Sequence, residues 1–105
     1  MRQVVALDEV AGDLLDARDF YDKRHFGVGD YCIRCLREDI DRLKVVHGMH
    51  EKHHGFFRLI SEKFPYGIYY RDLPERTEVI AVLDLRRDPR WLHKALADRR
   101  AGVNI

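Results

Sequence analysis

Apolar and polar residues follow two different periods along this chain, first helical and then extended. Apolar positions recur every three or four residues over 10–24 and again over 30–47, the spacing that gives an α-helix one buried face. The connection at 25–29 contains two glycines and interrupts the first helix. Because it is short, we expect the two helices to form an antiparallel hairpin whose shared apolar face covers another layer.

The second half of the chain has the two-residue period of β-strands. We predict strands over Phe56–Ile60, Tyr66–Tyr70 and Val79–Leu83, joined by short turns into an antiparallel meander. The four residues 4–7 fit a further strand or a helix entry equally well. The last strand is apolar at consecutive positions, so it is predicted to lie inside the sheet, with residues alternating between the two faces from Val79 onward.

The remaining segments are predicted as a loop and a terminal helix. Residues 48–55 are polar between two glycines and are interpreted as a loop. Asp8 is predicted to cap the first helix. Pro89 suits the first turn of a final helix over 90–101, which Gly102 is expected to end. The whole pattern predicts an α+β fold, in which an N-terminal antiparallel helical hairpin packs on a three- to four-stranded antiparallel sheet, with a short C-terminal helix.

Length and composition fit a single domain. At 105 residues with 46% hydrophobic residues, the chain is predicted to form one domain over 1–105 around one core. Its two cysteines are too few for a disulfide framework, which agrees with a reducing compartment. No apolar run is long enough to span a membrane, and the N-terminus has no charged-then-apolar pattern. We therefore expect a cytoplasmic protein with no membrane association.

The net charge of +1 conceals an uneven distribution of charged residues. Residues 1–49 hold 8 Lys and Arg against 10 Asp and Glu, whereas residues 50–105 hold 11 against 8. This positive excess in the second half is modest beside the dense basic patches of proteins that bind phosphates. Charge alone therefore does not predict nucleic-acid binding.

Cys32 and Cys35, followed by His50 and His54, come close to the spacing of a Cys2His2 zinc site. Against a zinc site, both cysteines fall on the apolar stripe of the second predicted helix, where free cysteines behave as small hydrophobic residues. Core packing is the preferred interpretation, and neither a metal nor another cofactor is predicted. A zinc-stabilised nucleic-acid-binding module stays open as an alternative of another class.

Two segments carry a family resemblance: FPYGIYYR at 64–71 and VIAVLDLRRDPRWL at 79–92. Together with the order helix, helix, meander and terminal helix, they resemble the RelE/ParE toxin family of bacterial type II toxin–antitoxin systems over nearly the whole chain. The resemblance is to its ParE-like and plasmid-stabilisation branch, which often has His where this chain has Asp84. It implies a growth-inhibiting toxin that a cognate antitoxin protein wraps and silences, as a hetero-oligomer of the two.

The family resemblance implies one of two activities. The ParE-like branch poisons DNA gyrase and requires no catalytic residues, and this is the preferred prediction. The RelE-like branch cleaves messenger RNA on the ribosome with Lys and Arg side chains and often a Tyr near the C-terminus, which here implies Lys52, Arg58 and Arg87. Cleavage needs proton transfer and cations for the charge on the phosphate. No Tyr follows Arg87, and Trp91 in that region cannot act as a general acid.

The residues predicted to bind the antitoxin or the target lie around the sheet and are His53, His54, Arg71, Arg86, Arg87 and Trp91. Adjacent strand residues point to opposite faces, so only one of the two neighbouring arginines is expected to share a face with Arg58. Asp88 fits either a helix cap or a functional role. Of Tyr66, Tyr69 and Tyr70, those that do not face the helices are expected to leave an aromatic patch for the antitoxin.

Overall fold

The structure, a computed structural model, describes residues 2–103. Within this range the chain forms three α-helices and five β-strands. In chain order they are β1 (Gln3–Ala6), α1 (Asp8–Asp22), α2 (Val28–Val46), β2 (Lys52–His53), β3 (Phe56–Ile60), β4 (Tyr66–Asp72), β5 (Arg76–Asp84) and α3 (Pro89–Val103). None of the helices in this range combines the length and the apolar character needed to cross a lipid bilayer.

The five strands join in one sheet with the order β1-β5-β4-β3-β2. The pairs formed by β2 to β5 are antiparallel, which confirms the predicted meander, but β1 runs parallel to β5. The prediction of a purely antiparallel sheet with three or four strands is therefore wrong, because the sheet is mixed and has five. The direction in which β1 pairs depends on how α1 and α2 return the chain to the sheet, which no local pattern records.

The segment 48–55, predicted as a loop, contains the two-residue strand β2. Lys52 pairs with Phe57 and His53 with Phe56 at the outer edge of the sheet. An edge strand this short faces solvent and needs no alternation of apolar residues. The sequence pattern therefore did not reveal it.

Helices cover both faces of the sheet. α1 and α2 pack against each other and on one face, called the hairpin face here, whereas α3 packs on the opposite α3 face. Tyr66 and Tyr70 are buried on the hairpin face and Tyr69 is buried on the α3 face. Because α3 covers the second face, the three tyrosines do not form the exposed aromatic patch that the sequence predicted.

β5 lies inside the sheet, as predicted, but its residues do not alternate regularly between the faces. The pairing with β4 shifts so that Tyr69 pairs with Ala81 while Tyr70 pairs with Val79. Ile80 is the additional residue of this β-bulge, and consequently Ile80 and Ala81 both face α3. The alternation predicted from Val79 onward was therefore wrong. The sequence could not reveal the bulge, because a bulge does not change the apolar character of a strand.

The caps and ends of the helices match the predictions only in part, and α2 begins at Val28, inside the connection predicted at 25–29. α1 begins at Asp8 itself, with Leu7 at the N-cap and no side-chain cap, so Asp8 is not the cap. α3 continues through Gly102, because one glycine in a helix costs only about 1 kcal/mol. Asp88 does cap α3, since its Oδ1 accepts a 2.7 Å hydrogen bond from the backbone N–H of Arg90.

The turn between α1 and α2 depends on its two glycines. Gly27, at the N-cap of α2, has a φ of +88°, in the left-handed region that favours glycine. Gly29 lies against α1, where a Cβ atom would overlap the backbone carbonyl oxygen of Arg18. Its N–H also donates a 2.7 Å hydrogen bond to Asp22 Oδ1. The two helices therefore meet at a separation that only a residue without a Cβ permits.

Candidate functional site

The arginine pair lies in the turn after β5 and not on a strand, because β5 ends at Asp84. Arg86 folds back onto Asp84, with Nε donating to Oδ1 at 3.0 Å and Nη2 donating to Oδ2 at 2.9 Å. Burial by itself would raise the pKa of Asp84, but its hydrogen bonds from Arg86 outweigh burial and lower that pKa. The charge of Arg86 is therefore offset by its own neighbour in the turn.

Arg87 points in another direction and stacks on Trp91. Its guanidinium carbon lies 3.8 Å from the centroid of the indole ring, and Trp91 keeps 39% of its surface exposed. Among the ion pairs formed by residues 2–103, none includes Arg87. A cation placed over an exposed indole gains about 0.5–1 kcal/mol and stays available to a partner. Arg87 is thus the member of the pair with a charge free for binding.

Arg87 and Trp91 border a groove of about 300 Å³, called the β5 groove here. Its floor is the outer edge of β5, and its walls are α1 and α3. It is lined by Asp13, Asp16, Phe20, Tyr66, Val82, Leu83, Asp84, Arg87, Trp91, Ala95 and Arg99. The groove brings together the exposed cation of Arg87, three aromatic side chains and three carboxylates.

A buried ion pair forms the base of the β5 groove. β1 pairs with β5 only as far as Val79, so beyond that point this edge of β5 has no strand partner among residues 2–103. Asp13 accepts a 2.9 Å hydrogen bond from the Val82 N–H, and Arg99 donates one of 2.9 Å to the Ile80 carbonyl oxygen. Arg99 and Asp13 also join through two hydrogen bonds of 2.8 and 2.9 Å, which raise the pKa of the Arg99 guanidinium. These two side chains take the place of a neighbouring strand.

Asp13 is only 7% exposed, and its role was not predicted from the sequence. The helical spacing did contain a sign of it, since Asp13 follows Val10 by three positions and precedes Ala17 by four. A carboxylate at a position on the apolar stripe has to find a buried partner. The partner, Arg99, is 86 residues away in the sequence, so no local pattern identifies it.

The three residues predicted for RNA cleavage do not meet. Lys52 lies on the hairpin face, with its ammonium 4.9 Å from the ring centroid of Phe57. Arg58 pairs with Tyr69 and lies on the α3 face, where its side chain covers Gly67. Arg87 belongs to the turn after β5. Cations on opposite faces of one sheet cannot act on the same phosphate group.

The other predicted binding residues divide between two further places. Arg71 donates a 2.7 Å hydrogen bond from Nε to Glu78 Oε1, which offsets its charge. His53 lies at the β2–β3 turn with Nε2 at 3.7 Å from Glu51 Oε1, and His54 follows it. Of the predicted set, Arg87 and Trp91 border the β5 groove, and Arg86 lies beside Arg87 in the same turn.

The four residues of the alternative zinc site are separated as well. Cys32 and Cys35 are buried in α2, and burial, followed by the effect of Cys35, raises the pKa of the Cys32 thiol to about 12. His50 Nδ1 lies 2.5 Å from the hydroxyl of Tyr70, and His54 lies at the β2–β3 turn. Over residues 2–103, no group of three or more His, Cys, Asp and Glu side chains is arranged to hold a metal ion. The Cys2His2 spacing is therefore not matched by a Cys2His2 geometry.

A larger depression of about 830 Å³ lies along the outer surface of α2 and the β3–β4 turn. Acidic and basic side chains alternate around it, and Cys35 is the one predicted site residue at its border. Its charges largely neutralise one another, as in the pair of Arg42 with Asp39 at 3.2 Å. The β5 groove, although smaller, is the better candidate because two of the predicted binding residues, Arg87 and Trp91, border it.

Comparison with known proteins gives a likeness at the level of fold. No protein-family model matches the sequence, and no curated protein matches it. Among solved structures, a chain of the chromosomal ParDE TA system from P. aeruginosa superposes with a TM-score of 0.73 at 16% sequence identity, over 81% of this chain and 97% of that chain. The chain therefore shares the fold of this ParDE chain, which confirms the predicted resemblance at the level of fold.

Proposed function

We propose that the chain is the toxin of a type II toxin–antitoxin pair and that it inhibits growth by binding its target, with DNA gyrase as the preferred target. The observation that carries the proposal is the shared fold with the ParDE system, which extends over 97% of the matching chain. The family segments at 64–71 and 79–92 form β4, β5 and the start of α3, so the residues that suggested the family also build the β5 groove.

The arrangement of cations favours binding over RNA cleavage. A nuclease site requires several cations and a proton-transfer group around one phosphate, whereas Lys52, Arg58 and Arg87 lie in three separate places. A binding surface requires only an anchor that a partner can cover, and arginine and tryptophan are common anchors. Arg87 stacked on Trp91 supplies both in one exposed pair.

The proposal includes a cognate antitoxin that covers the toxin in a hetero-oligomer. A small protein encoded next to this chain should bind it when the two are produced together. Production of that neighbour should also relieve the growth inhibition caused by the chain alone. A chain that inhibits growth equally with and without its neighbour would be a toxin of some other kind.

The target is tested by inducing the chain in bacterial cells and comparing DNA breakage with message cleavage over the same minutes. We expect growth to stop together with gyrase-dependent DNA breaks, while translated messages stay intact. Prompt cleavage of translated messages without gyrase-dependent breaks would exclude gyrase and favour the RelE-like alternative. Strains with a drug-resistant gyrase provide a control for breaks that arise from other causes.

A further inference from the structure

Two histidines from distant parts of the chain meet on the surface, away from the β5 groove. His54, in the turn between β2 and β3, and His93, in the first half of α3, place their Nδ1 atoms 3.1 Å apart. Their ring centroids are 5.2 Å apart and the rings are inclined at 61°. Both side chains are exposed, so neither is needed to fill the core.

The β2–β3 turn is held against α3 by a second contact, which fixes the separation of the two rings. Arg100 donates a 3.0 Å hydrogen bond from Nη2 to the backbone carbonyl oxygen of His54. The guanidinium of Arg100 also lies 4.9 Å from the ring centroid of Phe56 and occupies the space that a Cβ on Gly55 would need. The turn is itself unusual, since His54 has a φ of +56° and Gly55 a φ of +88°. The two imidazoles are therefore presented by a constrained turn and a helix.

We propose that His54 and His93 form a two-histidine site for a divalent transition-metal ion of the zinc, nickel and copper group, with water in the remaining coordination positions. Zinc binds imidazole nitrogen at about 2.0–2.1 Å, so nitrogens at the observed separation subtend roughly 100° at the ion, between the octahedral and tetrahedral values. This site is different from the Cys2His2 arrangement, because it uses neither cysteine and takes its second ligand from α3. It also does not depend on the proposed toxin activity.

The tautomers of imidazole allow both Nδ1 atoms to bind one metal ion. In the absence of metal, the Nδ1–H of one ring donates to the unprotonated Nδ1 of the other, and when a metal ion binds both Nδ1 atoms that proton moves to Nε2 of the donor ring. Burial, followed by the charges of His93, His53 and Arg58, lowers the pKa of His54, which favours its neutral ring. Neutral imidazole is the form that coordinates these metals.

The neighbouring charges define which ions the site accepts and how tightly. Arg100 and Arg58 lie close to the pair, and their positive charges weaken the attraction of any cation. The carboxylate of Glu51 lies 3.7 Å from His53, the residue before His54. A site of two nitrogens without a carboxylate selects transition metals over Mg²⁺ and Ca²⁺, which prefer oxygen ligands. We therefore expect a labile site, filled and emptied by exchange.

The test is a calorimetric titration of the untagged full-length chain with Zn²⁺ at neutral pH. We expect one ion per chain, with affinity reduced by about tenfold or more in both His54→Ala and His93→Ala. His25→Ala, at an exposed position in the α1–α2 turn, is the matched control and should bind Zn²⁺ as the wild type does. Imidazole ¹⁵N resonances of His54 and His93 should move together during the titration.

Two results would overturn the proposal. An unchanged affinity in His93→Ala would show that the ion binds elsewhere, for example at His53 and Glu51. An absence of any heat or resonance shift at millimolar Zn²⁺ would show that the contact is a hydrogen bond only. Both substituted side chains are exposed, so we expect both variants to fold. Circular dichroism of each variant checks that expectation directly.

Discussion

Asp13 is the residue that most directly connects the sequence to the stability of this fold. Its carboxylate satisfies the Val82 N–H and the Arg99 guanidinium at an edge of the sheet that lacks a strand neighbour. Removing it leaves a buried N–H and a largely buried guanidinium without partners, and each loss carries a desolvation cost. One side chain therefore holds α1, β5 and α3 together.

We expect Asp13→Ala to lower the free energy of unfolding by about 3 kcal/mol, because it breaks a buried ion pair. Asp98→Ala is the matched control, since Asp98 pairs with Lys94 at 3.5 Å with both side chains at least 70% exposed. That change should cost less than about 1 kcal/mol. Urea unfolding of the three proteins gives the comparison, and equal costs for the two variants would contradict the role assigned to Asp13.

Asp72 makes the stability of the chain sensitive to acid. Burial alone would raise the pKa of Asp72, but hydrogen bonds from His47 and Thr77 and the charges of His47 and Arg2 outweigh it and lower the pKa below the ordinary 3.8. A carboxyl with a lowered pKa in the folded state binds a proton less readily there than in the unfolded state. Its contribution to stability is complete above the ordinary pKa and is lost as the pH falls through the lower, folded-state value.

Unfolding measured at about pH 5 and about pH 3 tests this contribution, because histidines stay protonated in the unfolded chain over that range. We expect wild type to lose more stability between the two values than Asp72→Asn does. Part of the loss should persist in the variant, since the pKa of Asp84 is lowered as well. An identical loss in both proteins would remove Asp72 as a source of the acid sensitivity.

At the scale of elements, regular periods were predictable and exceptions to them were not. α2 follows its stripe closely, with Cys32, Leu36 and Leu43 fully buried, because a helix on a sheet must bury one face. β2 shows no alternation of apolar and polar residues, because an edge strand of two residues buries little apolar surface. The bulge at Ile80 was invisible because every residue around it is apolar, so only the pairing with β4 reveals it.

The contact between α1 and α2 gives a prediction at this scale. Gly29→Ala places a methyl group against the carbonyl oxygen of Arg18, which should force the helices apart and lower the unfolding free energy by about 1–3 kcal/mol. Gly12→Ala is the opposite case, because nothing lies within 4 Å of its added Cβ in the middle of α1. That change should raise stability by up to about 1 kcal/mol. Thermal unfolding midpoints that move in the same direction for both variants would contradict this account of the crossing.

At the scale of the whole molecule, the position of α3 explains which of the predicted site residues lie together and which do not. α3 covers the second face of the sheet, where Tyr69 is buried and where Arg58 lies. Lys52 lies on the hairpin face, so the three residues predicted for catalysis are dispersed. The sequence indicated Arg87 and Trp91 from their position after β5, and their stacking follows from the four-residue spacing across the start of α3. The walls of the groove depend on contacts between α1 and α3, which the sequence separates by most of its length.

The proposed mode of action predicts that the exposed Arg87 is required for growth inhibition, whereas a neighbouring arginine is not. Arg90, with a side chain that is 92% exposed and paired with Asp88, is the matched control, since it does not line the β5 groove. Removing an interface anchor typically costs about tenfold or more in binding. Neither substitution should affect folding, because both side chains lie on the surface.

Gyrase-dependent DNA breakage in induced cells is the measurement that tests the proposed binding mechanism most directly. We expect the wild-type chain and Arg90→Ala to raise breakage well above the uninduced level, and Arg87→Ala to raise it about tenfold less. Wild-type cells that stop growing with cleaved messages and no gyrase-dependent breaks would contradict the mechanism.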